Sequence, residues 1–140
     1  MRVIFSRQCR PSSFLIRLFT WSQWSHVSIL EDEDHIIDST FKHGGVRRRP
    51  VLELVGEVSA FEVVEVPLPM EDAGMDFIRS QLGKPYDWTA IVGFILRENW
   101  ADPAKWFCNE LFEAGCKAGG RLRFRESLSR VTPRHSWMVR

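Results

Sequence analysis

Three residues of this chain have the types needed for nucleophilic acyl transfer: Cys108, His26 and Asp38. Cys108 lies in Trp106-Phe107-Cys108-Asn109-Glu110-Leu111-Phe112, just inside a helix whose start is read between Asp102 and Phe107. The dipole at a helix N-terminus favours a thiolate, and an imidazolium nearby favours it further. His26 follows Trp21, Trp24 and Ser25 at the head of a β-rich run, where strand structure would hold the imidazole in place. In such a set Cys108 attacks, His26 accepts and returns the proton, and Asp38 fixes the tautomer and orientation of the ring. By itself Cys108 reads as a buried, inert thiol, and only the company of His26 and Asp38 turns that reading around.

A hairpin supplies the company. Ser25–Leu30 reads as one strand, Glu31–Asp34 as a charged turn and His35–Thr40 as the antiparallel return. Closed by Leu30 against Asp34, it puts His26 opposite Asp38, Val27 opposite Ile37 and Ile29 opposite His35. Most of the apolar side chains then share the face that the imidazole avoids.

The elements around it read as strands first and helices afterwards. Arg2–Ser6 is a short β-rich run, Pro11 with Ser12 and Ser13 opens a helix carrying Phe14, Leu15, Leu18 and Phe19, and Gly44-Gly45 breaks the chain before a short strand over Val46–Arg49. Val58–Val66 is a β-branched run ended by Pro67. Beyond Pro69, Met75, Ile78 and Leu82 mark one face of a helix stopped by Gly83, and a turn follows through Lys84-Pro85. Asp87 caps a second helix with Ile91, Phe94 and Ile95, and Asp102-Pro103 starts a third that runs to about Gly119. This order predicts an α+β domain with an antiparallel sheet packed against helices, without the alternation of a doubly wound parallel sheet.

Length and charge narrow the class. The 140 residues, 44% hydrophobic and 26% charged, suit one domain spanning residues 1–140. Nineteen basic against eighteen acidic residues leave no global field for nucleic acid or anionic lipid. The tail from Arg121 to Arg140 carries six Arg against one Glu and reads as a solvated surface. No run approaches the ~20 apolar residues of a membrane span, and the N-terminus lacks the pattern of a secretory signal, so cytoplasmic synthesis is expected. Three cysteines without CxxC spacing suit a reducing compartment, with Cys9 and Cys116 structural or incidental. His26, His35, His43 and Cys108 are all zinc-type donors, but no HxH, HxxxH or CxxC pair organises them, and neither metal nor cofactor is expected. The six tryptophans read as core and cleft wall.

Taken together, these residues resemble the NlpC/P60 superfamily of papain-like cysteine peptidases, in the circularly permuted branch that also contains lecithin–retinol acyltransferase-like proteins. The resemblance rests on Ser13-Phe14-Leu15-Ile16-Arg17 with Thr20, Trp24-Ser25-His26-Val27-Ser28-Ile29, His35-Ile36-Ile37-Asp38-Ser39-Thr40 with Gly44-Gly45-Val46, Leu82-Gly83-Lys84-Pro85-Tyr86-Asp87, and Phe107-Cys108-Asn109-Glu110-Leu111. His before Cys is the order of the permuted branch. The resemblance implies a papain-like fold with Cys108 as nucleophile, His26 as base and Asp38 in the third polar position. It also implicates Tyr86, beside the Cys, and the Cys108 N–H as oxyanion or substrate donors, with Trp24, Trp106 and Asn109 as further oxyanion or substrate-binding candidates. Asn109 stands where that branch often has Ser, and Asp38 where it often has Glu. Glu110 is a competing polar group that reads more simply as a charge on a helix face.

The function this implies is a thiol hydrolase that cleaves an amide through an acyl-enzyme on Cys108, with cell-wall peptides (peptidoglycan) as the substrate class. Lipid acyl-ester hydrolysis or acyl transfer is the alternative within the same fold. A compact chain of this kind could act within a phage particle or secretion assembly. The competing class is an inactive binding module in which Trp24, Tyr86 and Trp106 remain as contacts.

Overall fold

A computed structural model describes residues 1–9, 13–14, 17–18, 21–87, 104–124 and 131–139. Five strands, β1 (Arg2–Gln8), β2 (His26–Leu30), β3 (His35–Thr40), β4 (Gly45–Pro50) and β5 (Val58–Glu65), form an antiparallel sheet in the order β4-β3-β2-β1-β5. Helices α1 (Val51–Glu57), α2 (Glu71–Ser80), α3 (Cys108–Ala118) and α4 (Pro133–Met138) accompany them among the described residues. The architecture is α+β.

Alternation along the strands divides the sheet into two faces. Val3, Phe5, Val27, Ile29, Ile37, Val46 and Val64 pack with Met75 and Ile78 of α2 and with Leu111, Phe112 and Cys116 of α3. The larger core therefore lies between the sheet and these two helices, and burying it is the main force that seats α3 on β2 and β3. The other face carries Ile4, Ile36 and Leu54 under α1. That helix was not expected. Its first turn follows Pro50, whose fixed φ of −62° suits a helix entry, and Val51 and Leu54 turn inward while Leu52 stays 82% exposed.

The hairpin differs from its expected register. Ile29 pairs with Ile37 and Leu30 with Ile36, around the turn at Glu31–Asp34. Continued along the strands, this register puts Ser28 opposite Asp38 and Thr40 opposite His26. Each partner is displaced by two residues from the expected one, and a shift of two preserves the face. His26 and Asp38 therefore still share a side of the sheet, as diagonal neighbours rather than direct ones. His35 does not face Ile29; its carbonyl accepts from Glu31 N–H at 3.0 Å.

Three other expectations shift. The helix after Pro11 is described only at Ser13-Phe14 and Arg17-Leu18, both helical, and the helix carrying Ile91, Phe94 and Ile95 lies outside the described residues. The helix carrying Cys108 begins at Cys108 itself, and Asp102-Pro103 lies outside the described residues: Trp106 makes a bridge to Tyr86, and Phe107 is extended as N-cap at φ −82°, ψ 148°. The C-terminal basic segment is not simply solvated. Arg123 is buried against Glu113 at 2.9 Å, with its guanidinium 4.9 Å from the Phe112 ring, and α4 brings the Ser136 hydroxyl onto the same carboxylate.

Candidate active site

Cys108 is the first residue of α3, so its N–H is one of the four that a helix leaves without an internal acceptor. The carboxylate of Glu110 accepts from the N–H of Phe107 at 3.4 Å, which ties down the helix entry. Glu110 is therefore not an exposed helix-face charge; it is 6% exposed, and burial first, then the charge of Asp87, push it up to about 7 against the pull of the Phe107 N–H.

His26 heads β2 beside Ser6 of β1 and is 5% exposed. Its Nε2 lies 2.9 Å from Oδ2 of Asp38, which is 1% exposed. The Cys108 side chain lies close enough to act on the ring as well. Burial opposes the imidazolium most strongly, but the influence of Cys108 and the hydrogen bond to Asp38 outweigh it and carry His26 up to about 10. For Asp38, burial is likewise the largest influence and raises it; His26 and then Arg49 overcome that and hold the carboxyl well below the usual carboxylate range. The structure thus brings Cys108, His26 and Asp38 together.

Two further groups complete the surroundings of Asp38, and the sequence pointed to neither. The hydroxyl of Ser28 donates to Oδ2 at 3.1 Å, and Arg49 reaches both carboxylate oxygens. Arg49 sits in a run of three arginines whose first two members are exposed; only the strand register and the buried side beneath α1 single it out. Ser6, directly across from His26, is buried with its hydroxyl unpartnered among the described residues.

Tyr86 is carried to the site by a backbone clamp. Val46 N–H donates to Lys84 O at 2.9 Å, Gly83 N–H to Val46 O at 2.9 Å, and Tyr86 N–H to Gly44 O at 3.2 Å. Gly45 makes this approach possible: at φ +147° it has the backbone freedom of glycine, and a Cβ there would lie 2.0 Å from the Lys84 carbonyl oxygen. The Tyr86 ring packs edge-on between Phe41 and Phe107, with centroids 6.1 and 6.3 Å away. Burial first and then the charge of Cys108 push its hydroxyl well above the ordinary tyrosine value, so Tyr86 remains a donor.

The remaining expected contacts are structural in their visible partners. Trp106 donates from Nε1 to Gln81 at 3.1 Å, and its carbonyl accepts from the Ser39 hydroxyl at 2.6 Å, fastening the approach to α3 onto α2 and β3. Asn109 is buried, with its amide donating to Val131 O at 2.8 Å and its Oδ1 unpartnered among the described residues. Trp24 lies in the larger core, 8% exposed, with its indole N–H unpartnered among the described residues. Cys116 is buried and its thiol pushed up to about 12, chiefly by burial, while Cys9 is exposed.

The three hairpin-region histidines have separate partners. His26 meets Asp38, His35 meets Asp32 at 3.0 Å, and the Nε2 of His43 lies 3.2 Å from Glu53. Among the described residues, His43, Glu53 and Glu57 could hold a cation by proximity. Arg49 already lies 3.5 and 3.0 Å from those two carboxylates, and Lys42 pairs with Glu57, so positive side chains already neutralise the group.

Neither a family model nor a curated protein matches the sequence. Among solved structures, the metalloprotein YiiX from Escherichia coli O157:H7, of the group DUF1105, superposes with a TM-score of 0.62 at 22% identity, over 87% of this chain and 67% of that one. The two share a fold. The likeness extends to the architecture and carries no role for individual residues. Among the described residues, no helix is long and apolar enough to cross a membrane.

Proposed function

We propose that this chain is a cysteine-dependent hydrolase with a papain-like, circularly permuted NlpC/P60 arrangement, acting on amide bonds of the cell-wall-peptide class. The observation that carries the reading is the buried imidazole of His26, 2.9 Å from Asp38 Oδ2 and within the influence of Cys108, the first residue of a helix. Three features of thiol catalysis coincide there: a helix N-terminus under the sulfur, a base beside it and a carboxylate behind the base.

In the proposed reaction the Cys108 thiolate adds to the substrate carbonyl carbon. The resulting oxyanion takes hydrogen bonds from the Cys108 N–H and the Tyr86 hydroxyl. The imidazolium of His26 gives its proton to the leaving amine as the carbon–nitrogen bond breaks, leaving a thioester. His26 then takes a proton from water, whose oxygen attacks the thioester and releases the carboxylic acid and the Cys108 thiolate, which restores the starting ion pair. Asp38 keeps its charge throughout and stabilises the imidazolium.

A second reading, acyl-ester substrates, is favoured by one observation: Phe41, 74% exposed, meets Tyr86 edge-on and gives the site an apolar edge. The two are separated by assaying the full chain against peptidoglycan-derived peptides and against acyl esters, with Cys108→Ala as control. Turnover of the peptides that disappears in Cys108→Ala supports the first. Turnover that survives Cys108→Ala rejects the nucleophile in both.

A further inference from the structure

Arg49 is 3% exposed, at the C-terminal end of β4. Its Nε donates to Asp38 Oδ1 at 3.2 Å and its Nη2 to Oδ2 at 2.8 Å. A guanidinium that engages both oxygens fixes the plane of the carboxylate as well as its position. The β3–β4 register pairs Asp38 with Arg47 and Ile36 with Arg49, so this contact runs diagonally along the buried side of the ladder. The guanidinium is itself anchored: Nη1 lies 3.0 Å from Glu57 and 3.5 Å from Glu53, Lys42 pairs with Glu57, and His43 pairs with Glu53. Among the described residues, the charged groups that face Arg49 thus belong to β3, α1 or the turn before β4.

The oxygen taken by Nη2 is also the one that meets His26 Nε2. A buried carboxylate holding two cations on one oxygen has little freedom to rotate, and its remaining directions are set by the stiffer partner. Arg49 is that partner, because its fork is planar and braced by two acidic side chains. We infer that Arg49 is a positioning residue for the site: it fixes the plane of the Asp38 carboxylate and, through it, the tautomer and orientation of His26. Its consequence at Cys108 rests on the hydrolase reading, whereas its consequence at the imidazole does not.

The test uses the 15N-labelled full chain as wild type, Arg49→Lys and Arg49→Gln, with two readouts. The first is the downfield ring N–H resonance of His26 that a bond to Asp38 produces. The second is the pH midpoint for iodoacetamide alkylation of Cys108, resolved by mass spectrometry. Wild type shows the resonance; Arg49→Gln loses it and raises the midpoint by about one pH unit, or roughly tenfold less thiolate at a given low pH. Arg49→Lys keeps the charge, and with it the fold, but weakens the resonance, because an ammonium cannot hold both oxygens. If Arg49→Gln does not fold, Arg49→Lys alone decides. A folded variant with both resonance and midpoint unchanged overturns the inference and leaves Arg49 a purely structural ion pair. Loss of the resonance in a variant, with wild-type Cys108 reacting as an ordinary thiol, upholds the positioning role and rejects the nucleophile.

Discussion

His26 and Asp38 meet diagonally across the β2–β3 pair, Nε2 to Oδ2 at 2.9 Å, with both side chains buried. Breaking a buried ionic contact by removing one charge leaves its partner uncompensated. Asp38→Asn leaves two cations, His26 and Arg49, facing a neutral amide. A loss of about 3–5 kcal/mol is expected in urea unfolding at neutral pH. A loss below about 1 kcal/mol would mean that the pair is not formed.

The same pair sets a pH window. His26 is raised to about 10, so its contribution to stability is complete below its unfolded value of 6.5 and is lost as pH rises through about 10. Asp38 is lowered, so its contribution is present above its unfolded value of 3.8 and is lost as pH falls through its depressed folded value. From these two groups, stability is greatest between about pH 4 and 6.5 and declines on the alkaline side. His26→Gln should remove the alkaline decline that the imidazole causes, measured as unfolding free energy from pH 6 to 10.

Glu110 acts on the same limb for a different reason. Its carboxyl is raised to about 7 by burial, so the neutral form is favoured: its contribution is complete below 4.5 and is lost as pH rises through about 7. Glu110→Gln keeps an acceptor for the Phe107 N–H and cannot ionise. The variant is expected to match wild type near pH 4.5 and to exceed it by about 1–3 kcal/mol at pH 8. Equal stabilities at both pH values would place Glu110 in water.

Much of this was legible in the strands. The alternation of Val27, Ile29 and Ile37 against His26, Ser28 and Asp38 reveals which side chains share a face, and that survives the two-residue displacement of the pairing. The exact partner does not, because the charged turn Glu31–Asp34 closes equally well in more than one length. Arg49 was hidden for a related reason: in Arg47-Arg48-Arg49 all three residues look like surface, and only α1 over the sheet buries the third. The α1 helix itself was masked by Val51, Val55 and Gly56, which favour other structures locally, until Leu54 is buried on Ile4 and Ile36. By contrast, the glycine pair was visible as a break, and the structure supplies its cause.

That cause is testable at Gly45. A methyl there would lie 2.0 Å from the Lys84 carbonyl oxygen and 2.9 Å from backbone atoms of the same turn, with no flexible side chain to give way. Gly45→Ala should cost several kcal/mol, on the order of the larger single-residue effects, and displace the Tyr86 turn. Gly44→Ala is strained only by its φ of +76°, with nothing within 4 Å of the added carbon, and should cost less. A thermal melt of each variant orders the two, and the reverse order would rule out the clamp.

The most direct measurement is the rate of iodoacetamide alkylation against pH at each cysteine, in wild type and His26→Ala. Cys108 and Cys116 are both buried, but the Cys116 thiol is raised to about 12 and should remain unmodified while the protein is folded, and exposed Cys9 serves as the internal reference. The account predicts that Cys108 of wild type reacts at a pH well below the ordinary thiol midpoint of about 8.5, and that His26→Ala abolishes this advantage. Cys108 reacting no faster than Cys9 at low pH, or unchanged by His26→Ala, would contradict it.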